Sequence, residues 1–166
     1  MKKHQIIFDK IAKLFKEHFK ENAIMSIGEY DDGYSENHLT IKNTGAWIFC
    51  DEYELIFGTG FNHRHYNPEF DELLDCLDEF QRMLTKRKRK TDYFKGNYCY
   101  KTRLEVESAN NNFKEFSTSS TWYFSFWKIT TEKVTIEKPI IDSLEFENAF
   151  IEIKNYSQND ICVHSS

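Results

Sequence analysis

The sequence predicts an α+β domain built on an antiparallel sheet, and three observations carry that prediction. Apolar residues recur at spacings of three and four in three separated segments, they alternate with period two in between, and short polar turns join neighbouring alternating runs. Strands that follow one another in runs, punctuated by single helices, pair as antiparallel neighbours rather than as βαβ units. The expected order is helix, four strands, helix, three strands, helix, with the helices packed on the sheet.

The first helix is read from Gln5 to Glu21, where Ile7, Ile11, Leu14, Phe15 and His18 form one stripe with Phe8 and Phe19 beside it. From Ala23 the period becomes two. Strands are read at Ile24–Gly28, His38–Lys42, Ala46–Cys50 and Tyr53–Phe57, and the turns Asn43-Thr44-Gly45 and Asp51-Glu52 make a consecutive meander the economical topology. The acidic loop Tyr30–Asn37 is expected at the surface. Asn67-Pro68 is the clearest boundary, since Asn caps a helix and Pro at its first position loses no hydrogen bond. The second helix is therefore predicted to start at Pro68 and to pack Phe70, Leu73, Leu77, Phe80 and Leu84 on the sheet. Glu69, Asp71 and Glu72 complement its positive end, and the basic run from Lys86 caps its negative end. Strands at Asn97–Glu107, Phe113–Lys128 and Lys133–Glu137 follow, with Asn110-Asn111-Asn112 as a turn. Asp142-Ser143-Leu144-Glu145 has capping-box spacing ahead of Phe146, Ala149, Phe150 and Ile153, so a helix closes the domain. At 166 residues, one domain over 1–157 and a tail over 158–166 is the expected organisation.

Composition narrows the function classes. With 40% hydrophobic and 16% aromatic residues but only 6 Gly and 2 Pro, the chain is too apolar for disorder. No uncharged apolar run approaches the roughly 18 residues of a membrane helix, and Asp9, Lys10 and Lys13 interrupt any export signal. Cys50, Cys76, Cys99 and Cys162 are widely spaced, unlike a disulfide framework or a zinc site, and are expected as buried thiols in a reducing cytoplasm. The net charge of −5 hides the basic run Lys86-Arg87-Lys88-Arg89-Lys90. An acidic body repels phosphate backbones, so a basic protein is the expected partner and nucleic acid is not.

The segment Gly58-Thr59-Gly60-Phe61-Asn62-His63-Arg64-His65-Tyr66 is the expected ligand site. Gly58 and Gly60 allow close backbone approach, a following helix start offers unpaired N–H groups, and His63, Arg64 and His65 supply donors for phosphate or carboxylate. A structural connector fits the same residues, because Asn67 and the acidic first turn already occupy the helix start. His63 and His65 share a strand face without a third ligand, so no metal or other cofactor is expected. His38-Leu39-Thr40 sets an imidazole and a hydroxyl on one strand face. Together with His164-Ser165-Ser166, this H-x-[ST] spacing resembles the paired elements of the two-histidine phosphoesterases, which implies acid/base imidazoles and a phosphate-binding hydroxyl. Asp71, Asp75, Asp78 and Glu79 are read as a solvated helix face. In Trp122-Tyr123-Phe124-Ser125-Phe126-Trp127 both strand faces are aromatic, and Tyr123 and Trp127 are the expected protein-interface residues.

No cysteine or histidine sits in a recognisable nucleophile context, so no catalytic residue is assigned. The chain reads as a non-enzymatic protein that binds another protein. In overall character, without a shared motif, it resembles bacterial toxin-neutralising immunity proteins and phage-encoded inhibitors of defence enzymes. That resemblance implies an acidic, aromatic surface occluding a basic enzyme such as a nuclease. A nucleotide- or phosphate-binding protein or phosphodiesterase using Gly58–Tyr66 is the alternative. A homo-oligomer hiding its aromatic face against itself is a third reading.

Overall fold

The computed structural model describes residues 2–29, 35–70, 73–108, 112–122 and 127–158. Its three helices and antiparallel strands make an α+β chain, but the strands form two sheets, of five and four, where a single sheet of four plus three was predicted. By its internal contacts the chain divides into two compact units, residues 1–81 with 141–166 and residues 82–140.

In the first unit, helix α1 (Lys3–Phe19) and a short 3-10 turn lead into β1 (Ala23–Glu29), β2 (Ser35–Ile41), β3 (Ala46–Cys50), β4 (Leu55–Thr59) and β5 (Asn62–Tyr66). These pair in sequence order as one antiparallel meander. Polar turns hold its register. Thr44 Oγ1 donates to the Ile41 carbonyl at 2.9 Å and accepts from the Ala46 N–H at 3.1 Å, with Asn43 and Gly45 at positive φ. The Asp51 carboxylate accepts from the N–H groups of Tyr53 and Glu54 at 2.6 and 2.7 Å. Buried His4 donates its Nε2–H to the Asp51 carbonyl at 3.0 Å, tying the start of α1 to that turn. β5 adds a strand to the four expected. Its alternation sets Asn62, Arg64 and Tyr66 against His63 and His65, so no apolar face announces it.

Leu39, Ile41, Ala46, Ile48, Cys50, Leu55 and Phe57 are buried on one face of this sheet. Phe57 meets Phe80 of α2 (Leu73–Thr85) with ring centroids 5.0 Å apart. Phe80 in turn meets Phe15 of α1 at 5.9 Å and Phe150 of α3 (Leu144–Gln158) at 6.1 Å. The helices thus share one aromatic core over a single sheet face, each buried Phe stabilising the fold by about 1.5–3 kcal/mol.

The start of α2 departs from expectation. Asn67 closes a turn, its carbonyl accepting from the Phe70 N–H at 3.0 Å and its Oδ1 from the Glu69 N–H at 2.9 Å, and the helix begins at Leu73. Phe70 therefore stands 83% exposed instead of packing on the sheet, while Leu77, Phe80 and Leu84 are buried. In α3, Ser143 Oγ caps the Phe146 N–H at 3.4 Å, and Phe146, Phe150 and Ile153 are buried at the predicted spacing.

The second unit holds β6 (Lys88–Lys95), β7 (Tyr98–Glu107), β8 (Phe113–Ser120) and β9 (Thr130–Glu137), in the order β8-β7-β6-β9. β6 corrects the reading of the basic run as a helix cap and turn. Arg89 forms a two-pronged pair with Glu105 of β7 at 2.8 and 2.7 Å, and Arg87 pairs with Glu107. Hydrogen bonds from these arginines hold both carboxyls below the usual glutamate range. Cross-strand charge pairing here takes the place of the apolar alternation that marks a strand. Lys88 is buried, its Nζ donating to the Met83 carbonyl at 3.4 Å, and burial pushes its pKa down. The strand read as Phe113–Lys128 ends at Ser120. Cys50 and Cys76 are buried as expected, whereas Cys99 is exposed. No described helix is long and apolar enough to cross a membrane.

Candidate functional site

Partners across an antiparallel ladder share a face, so the register sorts the side chains of the meander. Away from the helix-side Phe57 run two adjacent rows: Ile24, Thr40, Trp47, Gly58 and His63, then Ser26, His38, Phe49, Ile56 and His65. Two motifs separate in the sequence, His38-x-Thr40 and His63-x-His65, therefore meet on one surface. Trp47 lies between them. Its ring centroid is 5.9 Å from that of His38 and 5.9 Å from that of His63, and His63 lies 5.1 Å from His65.

Gly58 permits this approach. It stands between Trp47 and His63 in its row, where a Cβ would fall 2.4 Å from the Asn62 carbonyl oxygen and 2.9 Å from His63 Cβ. The indole reaches past it and donates Nε1–H to the Gly60 carbonyl at 3.0 Å. Aromatic cover over a strand glycine restores contacts that its missing side chain cannot make.

The exposed histidines are oriented by acceptors. His63 Nδ1–H donates to the Phe61 carbonyl at 3.1 Å, and His65 Nδ1–H donates to the Glu54 carboxylate at 2.8 Å. A carbonyl can only accept, so Nδ1 of His63 is the donating nitrogen. Both exposed rings are thus held through Nδ1, which leaves Nε2 as the nitrogen for a docked molecule. Among the described residues, no group of three or more His, Cys, Asp or Glu is placed to hold a metal ion.

The structure sorts the sequence candidates as follows. The Gly58–Tyr66 segment is the β4–β5 hairpin, with Gly60 at φ 57° in its turn. His63 and His65 lie on the open face, whereas Arg64 lies in the row of Phe57, with its Nε 3.5 Å from the Glu79 carboxylate of α2. Asp78 pairs with Lys154 of α3 at 2.5 Å. In the other unit Trp122 is 83% and Trp127 79% exposed, while Tyr123 and His164-Ser165-Ser166 fall outside the described residues. Sequence reading missed Trp47, Phe49 and Glu54. Counting register back from the Asn43-Thr44-Gly45 turn sets Thr40 opposite Trp47 and His38 opposite Phe49, which is the signal that finds those two.

Charge is divided between the units. Residues 1–81 with 141–166 carry 9 basic and 21 acidic side chains, a net of −12, and residues 82–140 carry 13 and 6, a net of +7. No known protein family, curated protein or solved structure matches this chain.

Proposed function

We propose that the first unit is a protein-binding module of the inhibitor type, which presents the Trp47 and histidine face to a basic partner and acts by occlusion rather than chemistry. The observation that supports this reading is the face itself: a tryptophan held between two histidines, flanked by half-buried Phe49 and Ile56, on a unit of net −12. A tryptophan with neighbouring apolar area anchors an interface, and the surrounding negative charge accelerates encounter with a basic surface. An immunity protein or anti-defence inhibitor would use such a face against a nuclease. Tyr123 and Trp127 would belong to a second, separate contact.

The test is affinity capture from the native cell with wild type and with a Trp47→Ser, His38→Ala, His63→Ala variant. A basic protein held by wild type, released by salt and not held by the variant, supports the proposal. Equal retention by both, or none by either, removes it. A phosphate or nucleotide ligand is the second reading, favoured by the adjacent exposed rings of His63 and His65 on the β4–β5 hairpin, which bind an anion only in their doubly protonated, cationic form. Thermal melts with phosphate and a nucleotide panel decide it, since a ligand that binds only the folded chain raises its Tm.

A further inference from the structure

β1 is an edge of the five-stranded sheet, and among the described residues only β2 pairs with it. A sheet edge leaves a row of N–H and C=O groups open to another strand, and proteins blunt it with charges, prolines or bulges. The other three edges carry such devices. β5 bears Arg64, β8 bears Lys114 and Glu115 with a register shift, and β9 bears Glu132 and Lys133. β1 has no charge before its last residue and no proline or bulge, and it leaves Ile24 42% and Ile27 62% exposed. Between α1 and β1 lies a groove of about 470 Å³, lined by Asp9, Ala12, Lys13, Lys16, Glu17 and Met25.

Hydrogen-bond parity decides which groups of β1 face outward. The Lys42 N–H donates to the Asn22 carbonyl at 2.8 Å, and hydrogen-bonded pairs recur every second residue along an antiparallel ladder. Ile24, Ser26 and Gly28 therefore bond to β2, while Ala23, Met25, Ile27 and Glu29 direct their backbone groups outward.

We propose that a second copy of the chain adds to this edge, β1 against β1, antiparallel about a two-fold axis through Ser26. Outward-facing residues then meet outward-facing residues, and all seven positions of each strand pair. Met25 falls opposite Ile27 of the partner subunit and the reverse, so the isoleucine most exposed on β1 covers the groove between α1 and β1 of the other copy. Ile24 packs across Gly28 of the partner subunit, where no side chain stands. Glu29 falls opposite Ala23 of the partner subunit. The contact is isologous and closes as a dimer. It joins two units of like charge through a strand whose single charge is its terminal Glu29, so added salt strengthens it, opposite to the salt response expected of a basic partner.

Sedimentation equilibrium of the full chain tests this. The mass should rise with concentration from 19.9 kDa toward twice that value, more readily at high salt, and Ile27→Asp should hold it at the monomer value with an unchanged melting temperature. A second measurement fixes the register. With Cys99→Ser and Cys162→Ser in the background, Ser26→Cys should form a covalent dimer on mild oxidation, because facing residues of a non-hydrogen-bonded pair have Cα atoms about 4.5 Å apart. Ile24→Cys should not cross-link. A chain that stays monomeric at every concentration overturns the proposal. So does a dimer indifferent to Ile27→Asp, or a Ser26→Cys form that fails to cross-link.

Discussion

Replacing Gly58 with alanine should separate Trp47 from His63 at a cost that the geometry sets. The added Cβ would fall 2.4 Å from the Asn62 carbonyl oxygen and 3.0 Å from His63 Cα, both backbone atoms of the paired strand. A flexible side chain could swing away, but here β5 itself must shift by about an ångström to restore ordinary contact. Overpacking of this kind costs about 1–3 kcal/mol, and the upper half applies where backbone must yield. For a chain of this length, roughly 2–3 kcal/mol lowers Tm by about 4–12 °C. Gly60→Ala is the control. Its Cβ would meet nothing within 4 Å, so only the strain of φ 57° is added, about 1–2 kcal/mol, and Trp47 keeps its neighbours. Urea unfolding measures both costs, and the indole N–H resonance of Trp47, bonded to the Gly60 carbonyl, reports the site. A Gly58→Ala protein within about 0.5 kcal/mol of wild type, with that resonance unmoved, refutes the role given to Gly58.

Leu77→Ala should cost about 2–5 kcal/mol in the same assay, because Leu77 is fully buried on α2; a well-folded Leu77→Asp variant with unchanged melting would remove that placement. Burial lowers the pKa of Lys88, so below the ordinary lysine value near 10.4 the unfolded chain retains this proton where the folded chain releases it. Stability from this group therefore rises with pH through that interval, and Lys88→Met should flatten the rise while costing no more than about 1 kcal/mol for the lost bond to Met83. Glu105 is displaced the other way, by the hydrogen bond from Arg89. Its contribution is present above the ordinary value near 4.3 and disappears as pH falls through the lowered one, so the deficit of Glu105→Gln, about 1–3 kcal/mol near neutrality, should shrink in acid-unfolding curves. Burial first, then Asp51 and Asp9, push the Cys50 thiol up to about 12, whereas Cys99 is exposed. Iodoacetamide near about pH 8 should alkylate Cys99 and spare Cys50 until the chain is denatured, as peptide mass mapping would reveal.

What the sequence conveys here depends on whether a residue's role is local. The turns Asn43-Thr44-Gly45 and Asp51-Glu52 act through their own hydrogen bonds, and the strands they join pair antiparallel in the consecutive order read, with β5 added as a fifth. Phe146, Phe150 and Ile153 likewise follow a stripe that any helix must bury. β6 was hidden because its cations are matched by carboxylates of β7 more than ten positions away, leaving a run that in isolation looks like a helix cap. Asn67 was over-read: its side chain does satisfy a backbone N–H, but that of a turn, and Phe70 is left outside. The candidate face shows both sides of this. His38, His63 and His65 stood out as residue types, yet their meeting around Trp47 exists only once three strand registers are fixed in succession.

The division of charge between the two units has a practical consequence at the bench. Ion-exchange resins bind patches rather than sums, so near neutrality this chain should be retained by anion exchangers through one unit and by cation exchangers through the other, despite a sequence pI of about 5.7.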